Sequence, residues 1–225
     1  MNNNLFVNQE NKIIINSLVP IDVKTKEFDL FISMYKQALD QVYEQLENIK
    51  ENIYEIYGID MITSINKRIK TPTSIINKMK KKNYNINYKN LVENINDIAG
   101  IRVITPIKDN IYSLVKIINR LPNIKIIETK DYIKKPKKSG YSGYHIVIET
   151  PINVQKKEIP VKVEIQLRTM AMDFWATNEH KLKYKTDKKL SIFDSKKLQL
   201  YAKLLNILDD KITKMYQKQK ISKLL

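Results

Sequence analysis

Apolar residues recur every three or four positions at Phe28, Phe31, Ile32, Tyr35, Leu39, Val42, Leu46, Ile49, Ile53 and Ile56. That is the period of an α-helix with one face turned inward, and Gly58 is a natural stop for it. A second stripe, Leu198, Ala202, Leu205, Leu208, Ile212 and Met215, predicts another long helix over about 194–217. Such stripes cover a core or meet a second subunit. Between them, residues 101–105, 124–129, 145–150 and 160–167 form short β-branched runs bounded by turn residues, the pattern of strands. Ile111, Leu114, Val115 and Ile118 give helical spacing between the first two runs. This order of elements predicts an α+β fold with one mixed β-sheet flanked by helices and long N- and C-terminal helices. No internal repeat and no Pro/Gly/Ser linker divides the chain. A single domain is expected over 1–225, with a catalytic core over about 60–186 and helical flanks over 24–58 and 190–222.

Charge narrows the chemistry only in part. Forty lysines and arginines against 24 acids leave a formal net charge of +16, which draws polyanions. A solvated lysine coat would produce the same figure, and nucleic acid would answer to it as well as nucleotides. With no cysteine in the chain, disulfides and thiolate metal sites are excluded. Residues 1–10 are polar, and the apolar run 13–15 is too short for a signal or a membrane span. A cytoplasmic protein without a membrane partner is therefore expected.

Four segments carry candidate chemistry. In 161–168, alternation sends Val161, Val163, Ile165 and Leu167 to one face and Lys162, Glu164, Gln166 and Arg168 to the other. An ordinary solvated strand face would look the same. Asp97 precedes the strand at 101–105. It suits a turn, or a shared divalent cation with Glu164 if the two strands are neighbours, since magnesium takes one or two carboxylates plus substrate phosphates. Thr71 can cap a helix that starts at Pro72, which sets Ser74 and Lys78 on one face behind Arg68 and Lys70. Cations and free N–H groups at a helix start form a cradle for phosphates, and a plain capped surface helix is the alternative. Residues 130–145 bring Lys130, Tyr132, Lys137, Gly140, Tyr141, Gly143 and His145 together. Basic side chains between aromatic rings suit a ligand with phosphates and a flat base, or single-stranded RNA; the spacing is not that of a P-loop.

The stretches RIKTPTSIINKM, NDIAGIRVI, KDYIKKPKKSGYSGYH and VEIQLRTMAMDFWATNEHKLKYK stand in that order over roughly 68–185. Together they resemble the synthetase domain of the RelA/SpoT homologue family, in particular its short members, the small alarmone synthetases. The resemblance implies a nucleotidyltransferase-like fold and transfer of the β,γ-pyrophosphate of ATP to the 3′-hydroxyl of GDP or GTP, with Mg2+. It implies that Arg68 and Arg102 sandwich adenine and that Lys70, Ser74 and Lys78 meet the ATP phosphates. Asp97 and Glu164 would hold the metal, Glu164 also serving as the base toward the hydroxyl. Tyr141 would stack on guanine, while Lys130, Tyr132, Lys137, His145 and Gln166 line or shape the acceptor side.

The same resemblance implies a homotetramer. Ser139, Ser142 and Gly143 depart from the family's usual residues, which leaves the choice among GMP, GDP and GTP open. Neither histidine, His145 or His180, is followed by aspartate, so the family's His-Asp hydrolase route is not expected. A basic RNA-binding regulator without catalysis is the competing class. A nucleotidyltransferase moving a nucleoside monophosphate could use the same acid pair.

Overall fold

The computed structural model describes residues 4–6, 15–16, 18–154, 156–184 and 191–222. Most of the polar 1–10 stretch and of the apolar 13–15 run lies outside the described residues, as do the domain edges expected near 186 and 190. Two short strands, β1 (Asn4–Phe6) and β2 (Ile15–Asn16), pair antiparallel ahead of the first helix. No helix among the described residues is long and apolar enough to cross a membrane.

Helix α1 (Lys26–Tyr57) begins where Thr25 Oγ1 accepts from the Phe28 amide, with Glu27 and Asp29 in its positive first turn. It ends at Gly58, whose left-handed φ of 62° lets its amide bond Tyr54 O at 2.8 Å. Of the expected stripe, Phe28, Phe31, Tyr35, Leu39, Val42, Leu46 and Ile49 are buried and Ile32 is half-buried. Beyond that Ile53 is half-buried against the core, and Ile56 is exposed.

Strands β3 (Ser64–Ile69), β4 (Ala99–Thr105), β5 (Lys125–Asp131), β6 (Tyr144–Val154) and β7 (Lys157–Thr169) form one sheet in the order β3-β4-β7-β6-β5. Only β4 and β7 run parallel; the other pairs are antiparallel. Helices α2 (Pro72–Lys81), α3 (Tyr88–Asn94) and α4 (Lys108–Ile118) fill the early connections, and α5 (Met170–Tyr184) and α6 (Ile192–Ser222) follow β7. The four expected strands and three patterned helices are present. Neither β3 nor α3 was legible: β3 is an edge strand with three consecutive exposed residues, so it lacks alternation, and α3 is only two turns long.

The core lies between α1 and one face of the sheet, where Val163, Ile165, Leu167, Val103 and Ile146 are fully buried. Each such side chain contributes roughly 1.5–3 kcal/mol relative to exposure. That leaves the opposite face of β4, β6 and β7 free for polar groups.

Helix α6 corrects its predicted stripe. Leu198, Ala202 and Leu205 are covered or half-covered, but Leu208 is 52% and Met215 62% exposed, and Ile212 is exposed as well. From there the covered line shifts by one residue, about 100° around the helix, to Asp209 and Thr213. Polar bonds explain the shift. Thr169 Oγ1 donates to Asp209 Oδ2 at 2.8 Å, and Lys108 Nζ reaches Asp210 Oδ1 at 2.7 Å and Asn206 Oδ1 at 2.6 Å. Buried hydrogen-bonding groups left unpaired would be destabilising, so they outrank the apolar stripe in orienting the helix.

Helix α6 also meets the loop after β5. Gly140 has φ +91°, and a Cβ there would sit 2.4 Å from Ala202 Cβ. Gly140→Val combines backbone strain with a clash against a helix and should destabilise the chain by about 2–4 kcal/mol. Chemical denaturation would measure this; an unchanged midpoint would mean that the loop does not dock on α6 in solution.

Candidate active site

The polar face of the sheet is organised by register. Asn66, Arg102, Gln166, His145 and Lys130 lie opposite one another across all five strands, as one row. The next row on the same face holds Arg68, Gly100, Glu164, Val147 and Glu128. Neighbouring strands are about 4.8 Å apart, so these side chains stand side by side. Gly100 puts no side chain between Arg68 and Glu164, and a cavity of about 250 Å3 opens there, lined by Arg68, Asp97, Gly100, Arg102, Glu164 and Gln166 among others. A larger cavity of about 560 Å3 adjoins it, sharing Arg68, Arg102 and Gln166 and adding Lys137, Tyr141 and Arg168.

Asp97 and Glu164 thus face the same smaller cavity. Asp97 is held by two lysines: Lys70 Nζ reaches Oδ2 at 2.9 Å and Lys78 Nζ lies 2.8 Å from Oδ1. Lys70 arrives there because its amide bonds Ile98 O at 2.8 Å, and Lys78 because α2, capped by Thr71, presents that face. Burial alone would raise the Asp97 carboxyl; the two ammonium groups outweigh it and hold the carboxyl below its ordinary range.

Glu164 belongs to a closed ring of hydrogen bonds. His145 Nδ1 lies 2.9 Å from Glu164 Oε1, and His145 Nε2 lies 2.5 Å from the Tyr141 hydroxyl. Arg168 Nη2 donates to that hydroxyl at 3.0 Å and to Gln166 Oε1 at 2.9 Å; Gln166 Nε2 donates to Glu164 Oε2 at 2.7 Å. One proton arrangement accounts for every bond of the ring: Nδ1–H toward Glu164, Tyr141 O–H toward Nε2, and an ionised Glu164. Burial pushes the Glu164 carboxyl up, but the hydrogen bonds from His145 and the Gln166 amide leave it lowered overall.

The remaining predicted residues gather around these two acids. Arg68 is exposed near the end of β3, and Arg102 pairs loosely with Asp173 Oδ1 at 3.4 Å. Burial, then the neighbouring Arg168, lowers the Arg102 guanidinium below its ordinary value. The Tyr141 ring is only 8% exposed, with Lys137 4.8 Å and Arg168 5.2 Å from its centroid. Tyr132 packs edge-on against Tyr141 and His145, and Lys137 also covers its ring. Lys130 pairs with Glu128 at 2.8 Å. Ser74 is taken up locally: its amide donates to Thr71 Oγ1, and its hydroxyl accepts from the same oxygen at 2.8 Å. The Ile75 amide makes the helix's first regular bond, to Thr71 O, so of the N–H groups expected to be free at this helix start that of Ser74 is occupied by the cap. Lys70 and Lys78 carry the positive charge there instead.

Three residues of this face went unassigned in the sequence. Arg168, 6% exposed, stands in the sequence only as part of a polar row, yet it ties Tyr141, Gln166 and Asp173 together. Asp173 sits in the first turn of α5, where it binds Arg168 Nη1 at 2.9 Å. Glu179 lines the larger cavity. Alternation marks Arg168 as inward-facing on the polar side, whereas no local pattern distinguishes Asp173 or Glu179 from helix surface.

Comparison with known proteins agrees in sequence and in shape. The family described as the region found in RelA / SpoT proteins matches residues 67–189. The GTP pyrophosphokinase YwaC of Bacillus subtilis (strain 168) is 36% identical over 193 residues, covering 85% of this chain and 92% of its own. The small alarmone synthetase 1 of Bacillus subtilis bound to its product pppGpp superposes with a TM-score of 0.80 at 29% identity, over 86% of this chain and 98% of that one. A GTP pyrophosphokinase family protein from Streptococcus pneumoniae superposes with a TM-score of 0.81 at 31% identity, over 88% of this chain and 97% of that one.

Two measurements probe the electrostatics. In His145→Phe, desolvation of Glu164 is opposed chiefly by Gln166, so the Glu164 carboxyl should titrate at higher pH; carbon-detected NMR of that carboxyl would record the move, and a midpoint that stays or falls contradicts the ring. Asp97, lowered in the folded chain, stabilises it above its ordinary value of 3.8 and loses that contribution as pH falls through the folded value. Calorimetry of Asp97→Asn should therefore show a shallower decline in Tm below about pH 4 than the parent chain.

Proposed function

The chain belongs to the RelA/SpoT family, and from that premise we propose that it is a GTP pyrophosphokinase. It moves the β,γ-pyrophosphate of ATP to the 3′-hydroxyl of GDP or GTP, yielding ppGpp or pppGpp and AMP. One observation carries the assignment: Asp97 and Glu164, 67 positions apart in the sequence, line a single cavity that opens through Arg68, Arg102 and Gln166 into a larger cationic one.

The roles follow from placement. Arg68 and Arg102 offer planar guanidinium groups for the adenine ring, which a lysine could not stack. Lys70 and Lys78, long side chains now held by Asp97, are the cations nearest to where its phosphates would lie, and Ser74 stands on the same helix face. Asp97 and Glu164 present hard oxygens suited to Mg2+, and the buried Asp97 Oδ1 meets the Lys78 ammonium at 2.8 Å without an aligned hydrogen bond. Among the described residues no group of three or more His, Cys, Asp or Glu comes together, so phosphate oxygens and water would complete the cation's shell. When bound, the cation would offset phosphate charge and ease attack on phosphorus.

On the acceptor side, Tyr141 supplies the ring for guanine. Lys137 would leave that ring for the acceptor's phosphates, with Lys130 nearby. Tyr132 backs Tyr141, and Gln166 and His145 hold Glu164 ionised and aimed at the cavity. Glu164 can then accept the proton of the 3′-hydroxyl. A homotetramer belongs to the same proposal, supported by exposed Leu200, Leu204, Ile207 and Leu208 on α6.

The test is to incubate the chain with Mg2+, ATP and each of GMP, GDP and GTP, and to resolve products by anion-exchange chromatography. The α-phosphate of labelled ATP should remain in AMP, which separates pyrophosphate transfer from nucleotidyl transfer. Glu164→Gln should lower product formation by at least about a hundredfold with the far-UV spectrum unchanged. Turnover like that of the parent would refute the assignment. A non-catalytic RNA-binding regulator would instead show salt-steep RNA affinity and no nucleotide product.

A further inference from the structure

Two guanidinium groups stand close together on the polar face. Arg102 pairs with Gln166 in the β4–β7 register, and Arg168 follows two residues on along the same face of β7. Like charges so placed in a half-dry site repel. Burial first, then Arg168, disfavours the charged form of Arg102, and the charge of Asp173 opposes both. Asp173 Oδ1 lies 2.9 Å from Arg168 Nη1 and 3.4 Å from Arg102 Nη1, so one carboxylate oxygen serves both cations. The fold fixes where that oxygen stands. Thr169 Oγ1 accepts from the Met172 amide at 3.2 Å where α5 starts, and Met172 and Trp175, which flank Asp173, are buried. The first turn of a helix also favours an ionised acid.

The two arginines have different duties. Arg102 belongs to the donor side, whereas Arg168 holds the Tyr141 hydroxyl at 3.0 Å and Gln166 Oε1 at 2.9 Å. The Nε atoms of both are buried without a hydrogen-bond partner among the described residues, so each guanidinium is held by its terminal nitrogens. We propose that Asp173 is a positioning residue shared by the two nucleotide subsites: as the common counter-charge of Arg102 and Arg168, it keeps the Arg102 plane in place for adenine and the Arg168–Tyr141 contact in place for the acceptor. Without that charge the guanidinium groups move apart, and Arg102, the less tightly held of the two, moves toward solvent. This rests on the pyrophosphokinase reading, in which Arg102 meets ATP and Tyr141 meets the acceptor.

Binding of an inert donor reads this role without turnover. Calorimetric titrations with Mg2+ would use GDP and, separately, an ATP analogue with a methylene group between its α and β phosphorus atoms, where pyrophosphate transfer breaks the bond. The chains are the parent, Asp173→Asn, Asp173→Glu, Arg102→Gln, and Arg102→Gln combined with Asp173→Asn. Asp173→Asn keeps the shape and an acceptor oxygen but loses the charge, so it should weaken the analogue by about tenfold and GDP by about threefold or more. Asp173→Glu keeps the charge and should recover most of both affinities. In the Arg102→Gln background, Asp173→Asn should leave analogue binding where Arg102→Gln alone puts it, because the route through Arg102 is already gone, yet still weaken GDP. A scaffold role would weaken the analogue by the same factor in either background, and that result overturns the proposal. So does parent-like binding of either nucleotide by Asp173→Asn, or an Asp173→Glu chain that binds no better than Asp173→Asn. A far-UV spectrum showing that Asp173→Asn does not fold overturns it as well, since the role would then be structural. A parent chain that binds neither the analogue nor GDP removes the pyrophosphokinase reading itself, and this inference with it.

Discussion

The parallel pairing of β4 with β7 is the constraint on which the site depends. Parallel neighbours need a long crossover, and here the chain supplies α4, β5 and β6 between them. The register sets Gly100 beside Glu164 and Arg102 beside Gln166, so the start of β4 delivers Asp97 to the same cavity that Glu164 faces. A slip of one residue would turn Arg102 and Gly100 into the core and Ile101 and Val103 into the cavity. The buried apolar face therefore protects the geometry of the polar one.

Charge on that polar face is kept by pairing. Asp97 between two lysines and Glu164 within the ring through His145, Tyr141, Arg168 and Gln166 are both half-enclosed, yet both remain ionised more readily than in water. The ring constrains more than protonation. Because His145 and Gln166 each hold one of its oxygens, Glu164 has one orientation, and it lines the smaller cavity. Loss of a single member would leave others unsatisfied in a partly dry site, which couples residues as distant in sequence as Tyr141 and Arg168.

The helices after β7 extend this order to the acceptor loop. Thr169 anchors Asp209 of α6, Trp175 of α5 donates to Leu198 O of α6, and Gly140 lies against Ala202. Tyr141 is thus gripped from behind by a second small apolar cluster made with Trp175, Ala176 and Ala202. The loop's place owes as much to the C-terminal helix as to its own residues.

Much of this was legible along the chain. The period of α1, the two faces of β7 and the Thr71–Pro72 helix start are local, since side-chain direction repeats every 3.6 or 2 residues whatever lies opposite. The order of four motifs was likewise enough to name the family resemblance. Other features had no local signature. Edge strand β3 carries no alternation because one side of it needs no burial, and α6 turned a different line inward because Asp209 and Thr213 found partners on β7 and α4. Arg168 could be placed on a polar face but not given its three partners, and Glu179 looked like any helix surface residue. Periodicity states which side of an element is apolar; which elements meet, and in what register, is decided by complementarity between segments far apart, and that exists only once the chain has folded.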